Sequence, residues 1–327
     1  MKILLIFGGV GNEHEVSKMG AKNVLAALHK TKHQVTECEI KKDGTWSIPF
    51  DTLRSYDVIF PLIHGRGGED GAIAALGELL NIPVVGCNLE SSVICWDKRI
   101  LKSILHLNKM PVVPWILLHR NIRIPSFNEI KRQFTKETIL AGQLFNQSSF
   151  KPSLFVKPAR EGSSFGVGLA TTEAQFHKKV TEAFKFDNQV LIEKAIAGRE
   201  FECAVLGNAP IVEVSDVGEV ITPINDFYSY EQKYAANRKT VLDIPAQNLD
   251  AKARRQIQTY AQQAFNAISG RGLARVDFFL SNNGQIYINE INTMPGFTNT
   301  SMYPKLWEHA GLSYDQLVVK LIQLAKE

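Results

Sequence analysis

Cysteine is scarce, with four in 327 residues. Cys38, Cys87, Cys95 and Cys203 form no CxxC pair and no metal-ligand spacing with histidines, which excludes the familiar zinc and thiol-redox motifs and fits reduced thiols in a cytosolic protein. An excess of charge of one sign is also missing. Thirty-seven Lys and Arg stand against thirty-three Asp and Glu, and a net +4 is too small over this length to indicate a nucleic-acid or membrane-surface partner. No apolar run approaches the roughly eighteen residues a membrane helix needs. The opening Met1 to Gly9 has one basic residue and a short apolar run with Glu13 and Glu15 close behind, so it reads as a first buried strand and not as a signal peptide. With 23 Gly and 13 Pro in ordinary proportion, collagen-like and low-complexity classes are excluded as well. What remains is a soluble globular protein whose length suggests roughly two compact units.

Short β-rich runs alternate with helical patterns from the start. Lys2 to Phe7, Gln34 to Ile40, Val58 to Pro61 and Pro83 to Gly86 read as strands, with helices over Ser17 to His29 and Ala72 to Leu80. That rhythm predicts α/β architecture with a parallel sheet over the first 95 residues. Asp97 to Lys109 reads as a helix, and the prolines of Met110-Pro111-Val112-Val113-Pro114 mark a boundary or an extended strand. Beyond it come strands at Leu154 to Lys157 and Gln189 to Glu193, helices at Ser126 to Thr135 and Glu173 to Phe184, and a hairpin of Glu200 to Gly207 with Pro210 to Val217. Residues 225 to 243 are polar without a period, as a lid or binding segment would be. A helix from Ala251 to Ile268, strands Ala274 to Leu280 and Gln285 to Asn292, and a helix from Tyr314 to Ala325 complete the chain.

Three constellations carry chemistry. Across a turn of two or four residues, antiparallel pairing sets Arg275 and Asp277 opposite even-numbered residues, so that Arg275, Asp277, Glu290 and Asn292 share one face. Three oxygen-bearing side chains suit magnesium, which is normally completed by water and substrate phosphates, and an adjacent arginine suits a developing negative charge. The same pattern also describes a solvent-facing hairpin whose charges pair with each other. After it, Gly296 in the loop Thr293 to Met302 permits close backbone approach and can offer an amide to an oxyanion. Second, Lys157 ends a strand and is followed by a loop, through Ser163 and Ser164 to Gly168, whose amides, hydroxyls and ammonium fit phosphates; a flexible hairpin turn is the alternative. Third, Gln189 to Glu200 runs from a buried strand into a connector that could meet an adenine and a ribose. In the first domain, Gly8-Gly9-Val10-Gly11 lacks the third glycine of a dinucleotide fingerprint, and His64 to Gly71 follows a strand where ligands of open sheets gather.

Together these residues resemble the D-alanine–D-alanine ligase family of the ATP-grasp superfamily. The resemblance is carried by Gly8-Gly9 with Asn12 to Ser17, His64 to Gly71, Lys157 to Gly168, Tyr228 to Tyr234, and Arg275 to Asp277 with Asn289 to Met302. It implies three α/β domains, at 1–96, 97–193 and 194–327, with ATP between the central and C-terminal ones. It implies Lys98 and Lys157 on ATP phosphates with Ser163 and Ser164 in the phosphate loop, and Glu193, Lys194, Ile196 and Glu200 around adenine and ribose. Asp277, Glu290 and Asn292 would hold two magnesium ions, with manganese able to substitute. Glu13 would take the ammonium of the first D-alanine in a hydrogen-bonded set with Ser163 and Tyr234. Arg275 and the Gly296 amide would stabilise the tetrahedral intermediate. Lys233, Ser301 and the Met302 amide would hold the second carboxylate, with His64 close by. The implied product is the dipeptide used for peptidoglycan precursors, made in the cytoplasm by a homodimer with no nucleic-acid or membrane partner. The sequence departs from the family pattern at Phe165 and at Asn299-Thr300.

Overall fold

The computed structural model describes residues 1–140, 153–222 and 240–327. In chain order the elements are β1 (Lys2–Gly8), α1 (His14–Leu28), β2 (Gln34–Ile40), β3 (Val58–Pro61), α2 (Ala72–Leu80), α3 (Leu89–Trp96) and α4 (Lys98–Leu107). Then follow β4 (Trp115–His119), α5 (Phe127–Leu140), β5 (Leu154–Pro158), β6 (Gly168–Ala170), α6 (Glu173–Ala183) and β7 (Gln189–Lys194). The chain continues with β8 (Gly198–Asn208), β9 (Ile211–Ile221), β10 (Val241–Asp243), α7 (Ala251–Ala267), β11 (Leu273–Ser281), β12 (Ile286–Asn292), α8 (Met302–His309) and α9 (Tyr314–Leu324). They fall into two compact units, one of residues 1–111 with 198–327 and the other of 112–197.

The first unit holds the parallel sheet expected from the alternation, in the order β2-β1-β3. Every residue of β1 after Lys2 is buried, as a central strand covered on both faces requires. The expected strand at Pro83 to Gly86 is reduced to one parallel bridge, Ile59 with Val84. The same unit contains a five-stranded antiparallel sheet, β10-β9-β8-β11-β12. Its core joins Leu5 and Phe60 to Leu206, Phe297, Tyr303 and Leu317. The second unit is an antiparallel sheet, β4-β7-β5-β6, with a core that includes Leu154, Val156, Phe176 and Ile192.

Two helices were not anticipated. The α3 helix is short, and the side chain of Asn88 caps it by accepting from the Ser91 amide. The α8 helix carries Pro304 in its first turn, where the missing N–H leaves no helical bond unmade, so a residue that reads as a breaker is tolerated. Of the polar stretch 225 to 243, Val241–Asp243 is a strand and the part up to residue 239 lies outside the described residues.

All four cysteines are buried with free thiols. Burial pushes each thiol up, Cys203 to about 12, so none is a thiolate at neutral pH. A disulfide reagent is therefore expected to label none in the native protein and all four once it is unfolded. Rapid native labelling of Cys203 would contradict the packing of β8.

Candidate active site

The turn after β1 is built by glycine and fastened by two side chains of α1. Gly8 has φ +92°, and a Cβ there would lie 2.4 Å from the Ile40 carbonyl oxygen, so no other residue fits. The Gly8 amide donates to Ser17 Oγ at 2.7 Å, and that hydroxyl donates to the Leu62 carbonyl at 2.6 Å, tying the loop to the end of β3. His14 Nδ1 donates to the Gly9 carbonyl at 2.8 Å. This fastening holds Glu13, 5% exposed, at the N-terminus of α1 with its carboxylate beside Gly65.

His64 follows β3 and is buried, with Nδ1 3.9 Å from Glu69 Oε1 and a hydrogen bond to the Met294 backbone. Burial, reinforced by Arg275, holds the imidazole below its ordinary pKa against the pull of Glu69, so it is neutral at pH 7. Glu69 moves the other way. Burial first, then the charge of Glu13, raises it to about 7. In the ligand-free fold the proton on Glu69 is therefore stabilising: that contribution is complete below about 4.5 and is lost as pH rises through about 7. Glu69→Gln is expected to remove the corresponding fall in thermal midpoint, and an unchanged slope would assign it elsewhere.

The third element is the hairpin of β11 and β12. Ser281 and Gln285 pair around a three-residue loop, with Gly284 at φ +81°, and Phe278 stands opposite Ile288. That register, continued, would set Asp277 opposite Asn289 and turn Glu290 to the other face. A bulge between Phe278 and Asp277 corrects it, pairing Asp277 with Glu290 and Arg275 with Asn292. The shared face read from the sequence is therefore present, reached by an odd loop plus a bulge. On the other side, β8 sets Glu202 opposite Asp277, giving a row of three carboxylates across adjacent strands. Arg275 donates to Asp277 through Nε and Nη2, both at 2.7 Å, and its Nε lies 3.2 Å from Glu202. Neither Glu69 nor Glu202 had been assigned a role; an acid placed between the apolar Phe201 and Cys203 was the available signal for Glu202.

Glu13, Glu69, Glu202, Asp277 and Glu290 are thus linked by charge to one guanidinium, Arg275, and one neutral imidazole, His64, among the described residues. Such an excess of negative charge favours cations. No three Asp, Glu, His or Cys side chains converge as metal ligands among the described residues. A divalent ion would draw on Asp277, Glu290 and the amide oxygen of Asn292, which already accepts from the Met294 amide at 3.0 Å. Few protein oxygens, all hard, with the remaining positions left to a phosphate-bearing substrate, fit magnesium. Past β12, Gly296 is buried, and Ser301 precedes α8 with Oγ 2.8 Å from Thr298 Oγ1. The Met302 amide lies at the electropositive start of that helix.

Lys98 opens α4 and Glu200 lies in β8, both half-buried in this first unit. The rest of the expected nucleotide set belongs to the second unit. There Lys157 Nζ lies 2.7 Å from Glu193 Oε2 on the adjacent strand, a pair 12% and 2% exposed. Burial lowers the Lys194 ammonium, and Ile196 is half-buried. Ser163 and Ser164 have φ of +47° and +62°, followed by Gly166 at +67°. Backbone amides brought together in such turns can form anion-binding nests, and non-glycine residues held at positive φ carry local strain. Lys233 and Tyr234 lie outside the described residues.

A family model described as "D-ala D-ala ligase C-terminus" matches residues 109–323, and one described as "D-ala D-ala ligase N-terminus" matches 2–53 and 49–87. The chain is 39% identical to the D-alanine–D-alanine ligase of Shouchella clausii, covering 100% of this chain and 95% of that protein. It is similar to the solved D-alanyl-alanine synthetase A from Vibrio cholerae, with TM-score 0.87, 35% identity and coverage of 100% and 99%. It is also similar to the D-Ala:D-Ser ligase VanG of Enterococcus faecalis, with TM-score 0.81, 31% identity and coverage of 99% for both chains.

Proposed function

Because the chain belongs to the D-alanine–D-alanine ligase family, we propose that it joins two D-alanine molecules with ATP, yielding D-alanyl-D-alanine, ADP and phosphate for peptidoglycan precursors. The family's ATP-grasp fold, ATP dependence and divalent-metal use come with that membership. The observation that carries the reading is the Arg275, Asp277 and Glu290 face lying in one charge-linked group with Glu13 and His64.

The chemistry runs in two steps. The carboxylate of the first D-alanine attacks the γ-phosphorus and ADP leaves, giving an acyl phosphate; the amine of the second then attacks the acyl carbon and phosphate leaves. A carboxylate is a poor electrophile, so the first step supplies the leaving group the second requires. Glu13, buried at the start of α1, binds the first ammonium, joined by Ser163 and Tyr234. The Arg275 guanidinium and the Gly296 amide stabilise oxyanion charge at the acyl carbon. Ser301, the Met302 amide and Lys233 bind the second carboxylate. His64, uncharged at neutral pH, lies by the incoming amine without repelling it.

Asp277, Glu290 and Asn292 would hold two magnesium ions, or manganese. Bound there, the metal neutralises charge on the transferring phosphoryl group. Lys98 and Lys157 would hold the phosphates under the Ser163–Ser164 loop, so Lys157 would exchange Glu193 for phosphate while Glu193, Lys194, Ile196 and Glu200 line the base and sugar. The reading includes three domains, at 1–96, 97–193 and 194–327, a homodimer and a cytoplasmic location. The three separate sheets support the domain count. The test is oxygen transfer: D-alanine labelled with oxygen-18 in its carboxylate is expected to pass one labelled oxygen to each phosphate released. Unlabelled phosphate would contradict an acyl phosphate.

A further inference from the structure

Arg275 has an anion on each side. Asp277, two residues along β11 on the same face, takes Nε and Nη2 with both its oxygens. Glu202, which β8 sets opposite Asp277, brings Oε2 to 3.2 Å from the same Nε. Glu202 is 1% exposed between two buried neighbours, Phe201 and Cys203. An acid in such a place is costly to desolvate and needs a lasting cation.

The metal role given to Asp277 makes the arrangement a conflict. The two oxygens that now chelate the guanidinium are those a divalent ion requires, and that ion repels a guanidinium beside it. Once Asp277 turns to the metal, a second anion beside Arg275, buried enough to act strongly, keeps the guanidinium in place. Glu202 has that position. Its Oε2 lies 3.2 Å from Nε, the nitrogen nearest the strand, as an ion pair, while the Nε hydrogen is given to Asp277.

We infer that Glu202 is the positioning residue of Arg275, the carboxylate that keeps the guanidinium in place while Asp277 serves the metal. This rests on the metal role proposed above for Asp277. Without the Glu202 charge, the hold of Asp277 on Arg275 is no longer opposed from that side, and the guanidinium competes with the ion.

The experiment titrates Mn2+ alone into the full-length protein and follows the free ion by electron paramagnetic resonance. Asp277→Asn tests the underlying reading: an unchanged affinity would remove the metal site and the inference with it. Where Asp277→Asn does weaken binding, Glu202→Gln is expected to weaken it about tenfold with Arg275 present and less than about twofold in an Arg275→Met background. Equal losses in both backgrounds would mean that Glu202 acts on the ion directly, and no loss in either that it does not act at all; each overturns the inference. Should Glu202→Gln fail to fold, Glu202→Asp, which keeps the charge but withdraws it from Nε, is compared in the same two backgrounds with the same outcomes.

Discussion

Arg275→Met is expected to lower kcat by about a hundredfold to a thousandfold, the usual cost of losing a preorganised donor to a developing oxyanion. The side chain is 11% exposed and lies between two carboxylates, so its position is fixed before substrate arrives. The loss should fall on kcat more than on the KM for either D-alanine, because the charge it faces exists only during reaction. Arg275→Lys should recover little, since an ammonium cannot engage Glu202 and the reacting oxygen through separate, rigidly oriented nitrogens. Phosphate release under saturating ATP and D-alanine is the measurement, and a kcat within a few-fold of the parent would remove Arg275 from the chemistry.

Glu290→Gln is expected to lower turnover by about a hundredfold or more, with part of the loss recovered at high magnesium. Glu290 is aimed at Asp277 by the bulge in the hairpin, and an amide keeps its shape while removing its charge. A ligand role therefore predicts a shift in the metal dependence of the rate, which a purely structural role does not. A variant as active as the parent at low magnesium would contradict the assignment.

The hairpin also shows where sequence reading succeeds and where it stops. Alternation along β11 and β12 placed Arg275, Asp277, Glu290 and Asn292 on one face, because directly opposed residues must share a side. The three-residue loop and the bulge that together produce the register were not readable, since a bulge is set by sheet twist and by packing across strands. Gly8 was visible in the sequence as part of a glycine-rich loop after β1, but the crowding that requires glycine there comes from the Ile40 carbonyl across the sheet. Glu202 and Glu69 were not legible, because their meaning comes from residues far away in sequence: Glu202 from Arg275, and Glu69 from Glu13 and His64. The α8 helix was hidden by Pro304, whose breaking character disappears in a first turn. The order of the motifs led to the family; distance and charge brought the buried acids to notice.

The most direct measurement follows phosphate and dipeptide together, using purified protein with ATP, magnesium and D-alanine, and with D-alanine omitted. Phosphate should appear only when D-alanine is present, one equivalent for each D-alanyl-D-alanine formed. Phosphate released at the same rate without D-alanine, or no dipeptide at all, would contradict the ligase.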